Sequence, residues 1–587
     1  MQRNIHLPGG RLLGKTIHSF SKKEKIIFSV LFAILTLSAL SLLLRVNNAF
    51  LVEVPRYGGT IVEGVIGTTP QKINPVETNP FTSPVAENDL VALIYSGLMR
   101  QLPDGQLIPD LAESYTISKD GLKYTFILKN DLVWHDGKTI TSDDVKFTIA
   151  KVQDSEIKSP QEGNWNNITV ETPDEKTIVF TLKQPYVPFI QNTTLGILPK
   201  HLWEKMYAEN LSSNPLNTKP VGSGPYKIKK FKLNGDNTID YYELEAFDHF
   251  ALGKPFVETI KLKFFQNETD LIDAYKNGSV TSINSISLDK AKGLEKDHTI
   301  LRGKLPRTFG AFLNQNKTEI FTQIEVRRAL DTAVGQQEII DNVLFGYASP
   351  LLGPIPPGSF GYVQNSEKQL PNAEQRITAA KYILENAGWK KDASGVLTKK
   401  IGKKTLPLSF SISTTKEVPE LLAVAEMLKA SWEQIGAKVE IKSFETKDNL
   451  RNYAIRPRDY QVLLFGEIIG VNSDPYAFWH SSQRLDPGLN ISSYANLTVD
   501  KALTDARTTS DIEKRTKNYT VFQNEIKKDI PAVFLYAPQF VYATRDTVKG
   551  IGLDTLNTPP ERFLDIYKWY INTEHVWKIF AQGKQVL

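Results

Sequence analysis

The sequence predicts an α/β protein with a separate β-rich block and one membrane-spanning helix near its start. Three observations lead there. Ile26–Leu44 is an apolar run of nineteen residues without a charge. Residues 111–184 read mainly as short alternating strands. Leu406–Phe444 runs strand, helix, strand, the order of a parallel βαβ unit.

The chain has 587 residues, too long for one core, and suggests about three or four units. Hydrophobic residues make up 41% and charged residues 23%, ordinary for a globular protein that buries a sizeable core. Cysteine is absent, which excludes disulfides, thiolate nucleophiles and cysteine-ligated metals. The net charge of +5 suggests a basic protein. Position removes that reading. Arg3, Arg11, Lys15, Lys22, Lys23 and Lys25, against Glu24, account for all of it, and the body beyond is neutral. A neutral body has no footprint for a phosphate backbone, so no nucleic-acid partner is expected.

The apolar run Ile26–Leu44 follows that basic tail of residues 1–25. As a helix at ~1.5 Å per residue it would rise about 28 Å, close to a ~30 Å hydrocarbon core. The positive-inside bias puts the tail in the cytoplasm, and the body after a short tether, 45–56, outside it. A single-pass protein of the cell membrane is expected. A cleaved signal peptide would have a shorter apolar stretch and an A-x-A-like site. No clean site follows, though Asn48-Ala49-Phe50 leaves cleavage open. Gly9-x4-Gly14-Lys15-Thr16 matches the phosphate-binding P-loop string. That loop needs a strand before it and a helix after it. Only eight residues precede it, ending in Leu7-Pro8, so it reads as flexible tail.

In the body, Gly59–Val65 reads as a strand and Val85–Leu98 as a helix. Tyr124–Leu128 and Lys176–Leu182 alternate as strands. Trp134-His135-Asp136-Gly137 is a tight turn between them, and Thr141-Ser142-Asp143-Asp144 a helix start. Pro220–Tyr226 is a glycine-proline loop opening the strand Tyr226–Phe231. Ile324–Phe345 and Ala373–Gly388 read as helices. Leu406–Ser413, Val418–Gly436 and Ala437–Phe444 form the βαβ unit. Tyr460–Phe465 is a strand, Lys517–Asp529 a helix, and Ala532–Tyr536 starts the final strand. Catalytic signatures are missing: no H-E-x-x-H, no G-x-S-x-G, and Gly222-Ser223-Gly224 reads as a turn. His480 follows Trp479 and is a structural or exposed histidine before it is a ligand for a metal chelate.

Leu107–Val145 resembles the signature region of the family-5 solute-binding proteins of ABC importers, which include oligopeptide-, dipeptide- and nickel-binding proteins. Val221–Ile228, Phe312–Asn314 with Val326–Ala333, Ala379–Trp389, Trp432–Val439 and Asp474–Trp479 follow in the family's order. The resemblance spans roughly residues 57–555. It implies a two-lobed periplasmic-binding-protein-like fold (type II, cluster C) that closes on its ligand like a hinged clamp. Lobe one would be 57–90, 200–308 and 531–572, the inserted β-rich domain 91–199, and lobe two 309–530. Hinge strands would fall near Pro306–Leu313 and Ala532–Ala543. It further implies a monomeric binding subunit, not an enzyme and without a cofactor, that hands oligopeptides to the transmembrane subunits of an ABC permease. Two alternatives stay open. The same fold could hold another solute, such as an oligosaccharide or metal chelate, or the protein could be a membrane-tethered sensor or adaptor.

Peptide binders of this family place an aspartate against the ligand's α-ammonium, shortly before an acidic residue and a proline. Counting back three from Asp474-Pro475 gives Val471, which is no acid. Glu467 and Asn472 are the nearest polar candidates, Glu467 being either a substitute through a shifted loop or a solvated loop acid. Asp474 is a turn or cap residue, or a ligand contact. Phe309, before the lobe-two strand, Tyr536, on the return strand, and Trp165, in the inserted domain, are aromatic candidates for cleft or core. Trp479 is expected in the core, and no metal ligand set is expected.

Overall fold

The computed structural model describes residues 20–581, apart from 68, 69, 71, 79–82, 212, 237, 364–371 and 473. The P-loop-like string and the tail before Phe20 lie outside the described residues. The chain divides into two units, one made from its two ends and one holding residues 58–569.

In the first unit an α-helix runs from Lys22 to Phe50. Ser21 and Glu24 cap it reciprocally: Ser21 N–H donates to Glu24 Oε2 at 2.8 Å, and Glu24 N–H to Ser21 Oγ at 3.3 Å. The apolar side chains from Ile26 to Leu44 are exposed, unlike those of a core helix. The helix is long and apolar enough to cross a bilayer. The expected tether is not a bare linker. Its first half continues the helix, and Leu51–Arg56 forms an antiparallel pair with Asn572–Trp577. That second strand corrects the expectation of a final strand at Ala532. The strand supplying its partner lies more than 500 residues away, beyond the reach of local pattern.

In the second unit, twelve strands among the described residues join into one sheet. Along the sheet run Lys438–Phe444, Ser409–Thr415, Val462–Ile468, Arg307–Leu313, Ala532–Thr544, Ser282–Ile283, Thr60–Ile66, Thr259–Phe265, Ile239–Ala246 and Tyr226–Leu233. Ala532–Thr544 joins the halves. Its start pairs with Arg307–Leu313 and its end with Thr299–Lys304 and Ser282–Ile283. The chain therefore crosses the middle twice, at Lys304–Arg307 and at Pro538–Gln539.

The predicted βαβ unit is present. Ser409–Thr415 and Lys438–Phe444 run parallel, Ser409 opposite Lys438. The helix between them, Pro419–Gln434, buries Leu421, Val424, Leu428 and Trp432 along one stripe. Pro419 opens it, where a missing N–H costs nothing. Ile324–Phe345 is not one helix but two, Ile324–Ala333 and Gln336–Asn342. Gly335 sits at the break. A Cβ there would lie 2.4 Å from Arg376 Nη2, which pairs with Glu338 at 2.6 Å. The apolar period is unbroken across this point, so the close approach is invisible in sequence.

The β-rich block holds four antiparallel strands in the order Ala112–Ile117, Lys123–Leu128, Thr177–Leu182, Ile168–Glu171. Thr141 and Asp144 cap the helix Ser142–Gln153 as the sequence predicts.

Candidate functional site

The site rests on a buried charge network. Glu63, Asp89 and Arg562 are fully buried on three distant stretches of chain. Arg562 Nη2 donates to Glu63 Oε1 at 2.8 Å and to Asp89 Oδ2 at 2.7 Å, while its Nη1 donates to Asp89 Oδ1 at 2.8 Å. Tyr542 donates to Glu63 Oε2 at 2.7 Å and Asn284 to Glu63 Oε1 at 3.0 Å, and Ser282 Oγ also donates to Oε2. Burial raises the Asp89 carboxyl, and the guanidinium opposes that rise. Three charges out of water persist because every carboxylate oxygen has a donor. The network fixes the short 3₁₀ helix Pro559–Phe563, on which Arg562 sits.

Beside it opens a cavity of about 500 Å³, within the ~300–1,000 Å³ span of small-ligand sites. Its walls come from four stretches: 75–110, 161–196, 468–474 and 557–564. Among the described residues, four charged side chains line it: Arg100, Asp110, Asp474 and Glu561. Arg100 Nε donates to Asp110 Oδ2 at 2.7 Å, leaving Asp110 Oδ1 buried without a partner. Asp474 Oδ2 meets Arg507 Nη2 at 2.9 Å and accepts from Tyr186 at 3.4 Å. The Arg507 guanidinium lies over Tyr476, 4.3 Å from the ring centre, and over Tyr186 at 5.0 Å. Burial, more than the adjacent Asp474 charge, pushes the Tyr186 hydroxyl up to about 12. This contact ties the β-rich block to the helix Leu497–Thr508.

Glu561 Oε2 accepts three hydrogen bonds, from Asn557 N–H at 2.8 Å, Asn557 Nδ2 at 3.3 Å and Gln101 Nε2 at 3.3 Å. Burial pushes its carboxyl up to about 7, against those bonds and the charge of Arg307. Asn557 in turn accepts from the Val471 N–H at 2.8 Å. Val471 itself is buried against Gly105, where a Cβ would lie 2.3 Å from Val471 Cγ1. Gly105 also has φ +82, so glycine is required there twice over.

The candidates from sequence divide. Asp474 and Asn472 line the cavity. Asp474 is held by Arg507, and the Asn472 carbonyl accepts from Arg515 at 2.9 Å. Glu467 is buried on the strand Val462–Ile468 with both carboxylate oxygens unbonded among the described residues, and it is not on the cavity wall. It is thus no solvated loop acid: the strand runs past the predicted end at Phe465 and carries Glu467 inside. Phe309 and Tyr536 stack on each other, centres 4.9 Å apart, against the core. Gly466 makes room, since a Cβ there would lie 2.6 Å from the Phe309 ring. Trp165 lies in the aromatic core of the β-rich block, 5.5 Å from Phe180 and 5.7 Å from Phe189. Trp479 is buried among Phe312, Tyr494, Phe522 and Phe534, as expected. His480 stacks on Tyr476 and bonds Ser482. Sequence reasoning missed Glu561, Arg100, Asp110, Tyr186 and Arg507. The one local signal was Thr558-Pro559-Pro560-Glu561, a helix start bearing an acid, with nothing to connect it to Gln101 across 460 residues.

Two α/β halves on a shared sheet, a β-rich block beside them and a polar cavity walled by distant stretches define a two-lobed binding protein. The chain belongs to the bacterial extracellular solute-binding proteins, family 5, whose middle region it matches over residues 106–486. Members of this family of ABC importers bind solutes and are not enzymes. Among relatives, the chain is 27% identical over 521 residues to the oligopeptide-binding protein AppA of Bacillus subtilis, covering 88% of this chain and 92% of that protein. The crystal structure of that AppA with a nonapeptide aligns over 88% of this chain and 100% of its own, with a TM-score of 0.65. NikZ of Campylobacter jejuni, solved with Ni(L-His), is 29% identical and covers 87% of this chain and 99% of its own at a TM-score of 0.66.

Proposed function

We propose that this protein captures oligopeptides outside the cytoplasm and delivers them to an ABC permease. The cavity of about 500 Å³, lined by paired and hydrogen-bonded polar groups, is the observation that carries the reading. Its size suits a short peptide or part of a longer one. The relative AppA is named for oligopeptides, and its structure holds a nonapeptide. Closure would bend the two crossings at Lys304–Arg307 and Pro538–Gln539, bringing Asp474 and Arg507 onto Tyr186. The body works as a monomer, since one chain supplies all four walls of the cavity.

The protein stays on the membrane through the helix Lys22–Phe50, its basic tail in the cytoplasm. The exposed residues Phe50, at the helix end, Trp577, on the adjoining strand, and Ile579 and Phe580, on the short 3₁₀ helix after it, support this. Such residues suit the lipid headgroup zone.

A second reading keeps the fold and changes the ligand to a metal chelate. Val471 in place of an acid favours it, as does the likeness to NikZ with Ni(L-His). Thermal shift of the body with a peptide library and with nickel–histidine separates the two. Stabilisation by peptides alone is expected. Stabilisation by the chelate alone would refute peptide capture.

A further inference from the structure

We propose that Glu561 is the charge partner of a primary ammonium on the bound solute, so that the amino end of the ligand lies against the wall formed by residues 557–564. This rests on the peptide reading above and adds the direction in which a peptide lies and the chemical group it must carry.

The charges of the cavity wall lead to it. Asp110 is held by Arg100, and Asp474 by Arg507. Glu561 is the remaining acid on the wall, and it has no ion pair among the described residues. Its three hydrogen bonds gather on Oε2 and come from neutral donors. Arg307 acts on it at a distance but forms no contact pair with it. A carboxylate enclosed by a closing cleft with no cation in contact is costly, and a ligand cation reduces that cost. Asp110 Oδ1, buried and without a hydrogen-bond partner among the described residues, is a second acceptor on a residue lining the same cavity.

The carboxylate is also held in place. Its neighbour Arg562 is locked by Glu63 and Asp89, and Pro559 and Pro560 stiffen the turn that presents it. Asn557 links it to Val471: the Val471 N–H donates to Asn557 Oδ1, and Asn557 donates twice to Glu561. The acid missing at position 471 is thus met by an acid two hydrogen bonds away, on the neighbouring stretch 557–564. A group fixed in this way binds without reorganising.

The test uses the purified full-length chain in detergent and an equimolar library of tri- to pentapeptides, either with free amino ends or N-acetylated. Bound peptides are read by native mass spectrometry and affinities by titration calorimetry. Wild type should hold free-amine peptides and reject acetylated ones. Glu561→Gln should weaken free-amine binding on the order of a hundredfold, with a melting temperature in the absence of peptide no lower than that of wild type. Equal affinity of wild type and Glu561→Gln, or retention of acetylated peptides by wild type, overturns the assignment while leaving peptide capture intact. The acetylated arm needs no variant, so a folding defect in Glu561→Gln cannot mask the answer. Binding of neither library by wild type overturns peptide capture and this assignment together.

Discussion

Glu467 is a carboxyl group in an apolar setting. The strand Val462–Ile468 turns it toward the side of Leu463 and Phe465, whose neighbours are Phe312 and Trp479. Burial alone pushes its carboxyl well above the ordinary range. The unfolded chain releases this proton near the usual glutamate value of ~4.3 and the folded chain keeps it. Stability is therefore highest below that value and falls as pH rises, at about 1.4 kcal/mol per unit until the folded carboxyl ionises. Glu467→Gln removes the penalty. By calorimetry its melting temperature should match wild type at pH 4 and exceed it at pH 8 by at least ~2 °C. An equal difference at both pH values would contradict this assignment. Glu561, whose carboxyl burial pushes up to about 7, adds a functional pH effect. The charged groups around it are Arg307, the Arg100–Asp110 pair and the Arg507–Asp474 pair. An ammonium ligand favours the ionised carboxylate, so affinity for free-amine peptides should rise from pH 6 to 8, and calorimetry should show proton release at pH 6. From sequence alone Glu467 looked like a site residue and Glu561 went unnoticed. Local pattern gives the alternation of a strand but not which face meets a cavity, and it is blind to a partner 460 residues away.

The elements were more legible. The βαβ unit, the capped helix at Thr141 and the apolar helix Lys22–Phe50 each announce themselves within about 30 residues through period, cap or length. The break at Gly335 and the strand Asn572–Trp577 did not, because a side-chain approach and a remote pairing decide them. Two contacts between elements invite substitution. Arg562 holds three stretches together, so Arg562→Met strands Glu63 and Asp89 without a cation. Urea denaturation should show a loss of ~3–5 kcal/mol, and a loss under about 1 kcal/mol would mean the network is not structural. The Asp474–Arg507–Tyr186 contact joins the β-rich block to the helix Leu497–Thr508, elements that would part if the proposed cleft opened. It is partly exposed, so Asp474→Asn should cost under about 1 kcal/mol of stability. Peptide release should quicken about fivefold, the rate equivalent of that energy, as read by stopped-flow dissociation. An unchanged release rate would show that the contact takes no part in closure.

The whole molecule combines an apolar N-terminal helix, long enough to cross a bilayer, with a binding body, and each half has its own test. Full-length protein should stay with membranes after an alkaline carbonate wash, with the mass of the uncleaved chain. A chain lacking residues 1–50 should be soluble and bind peptides as well as the full-length protein. A mature chain beginning near Ala49 would mean that the helix is a signal sequence. The family resemblance, spread over roughly 500 residues, fixed the two-lobed architecture before any coordinates, whereas the ligand depends on a few side chains drawn together from four stretches. Native mass spectrometry of the soluble body, purified from its own cell envelope without added ligand, reaches that ligand most directly. Peptide capture predicts adducts that are released on unfolding and fragment as peptides with free amino ends. A body that carries a non-peptide adduct, or that stays unliganded after exposure to a peptide library, would contradict it.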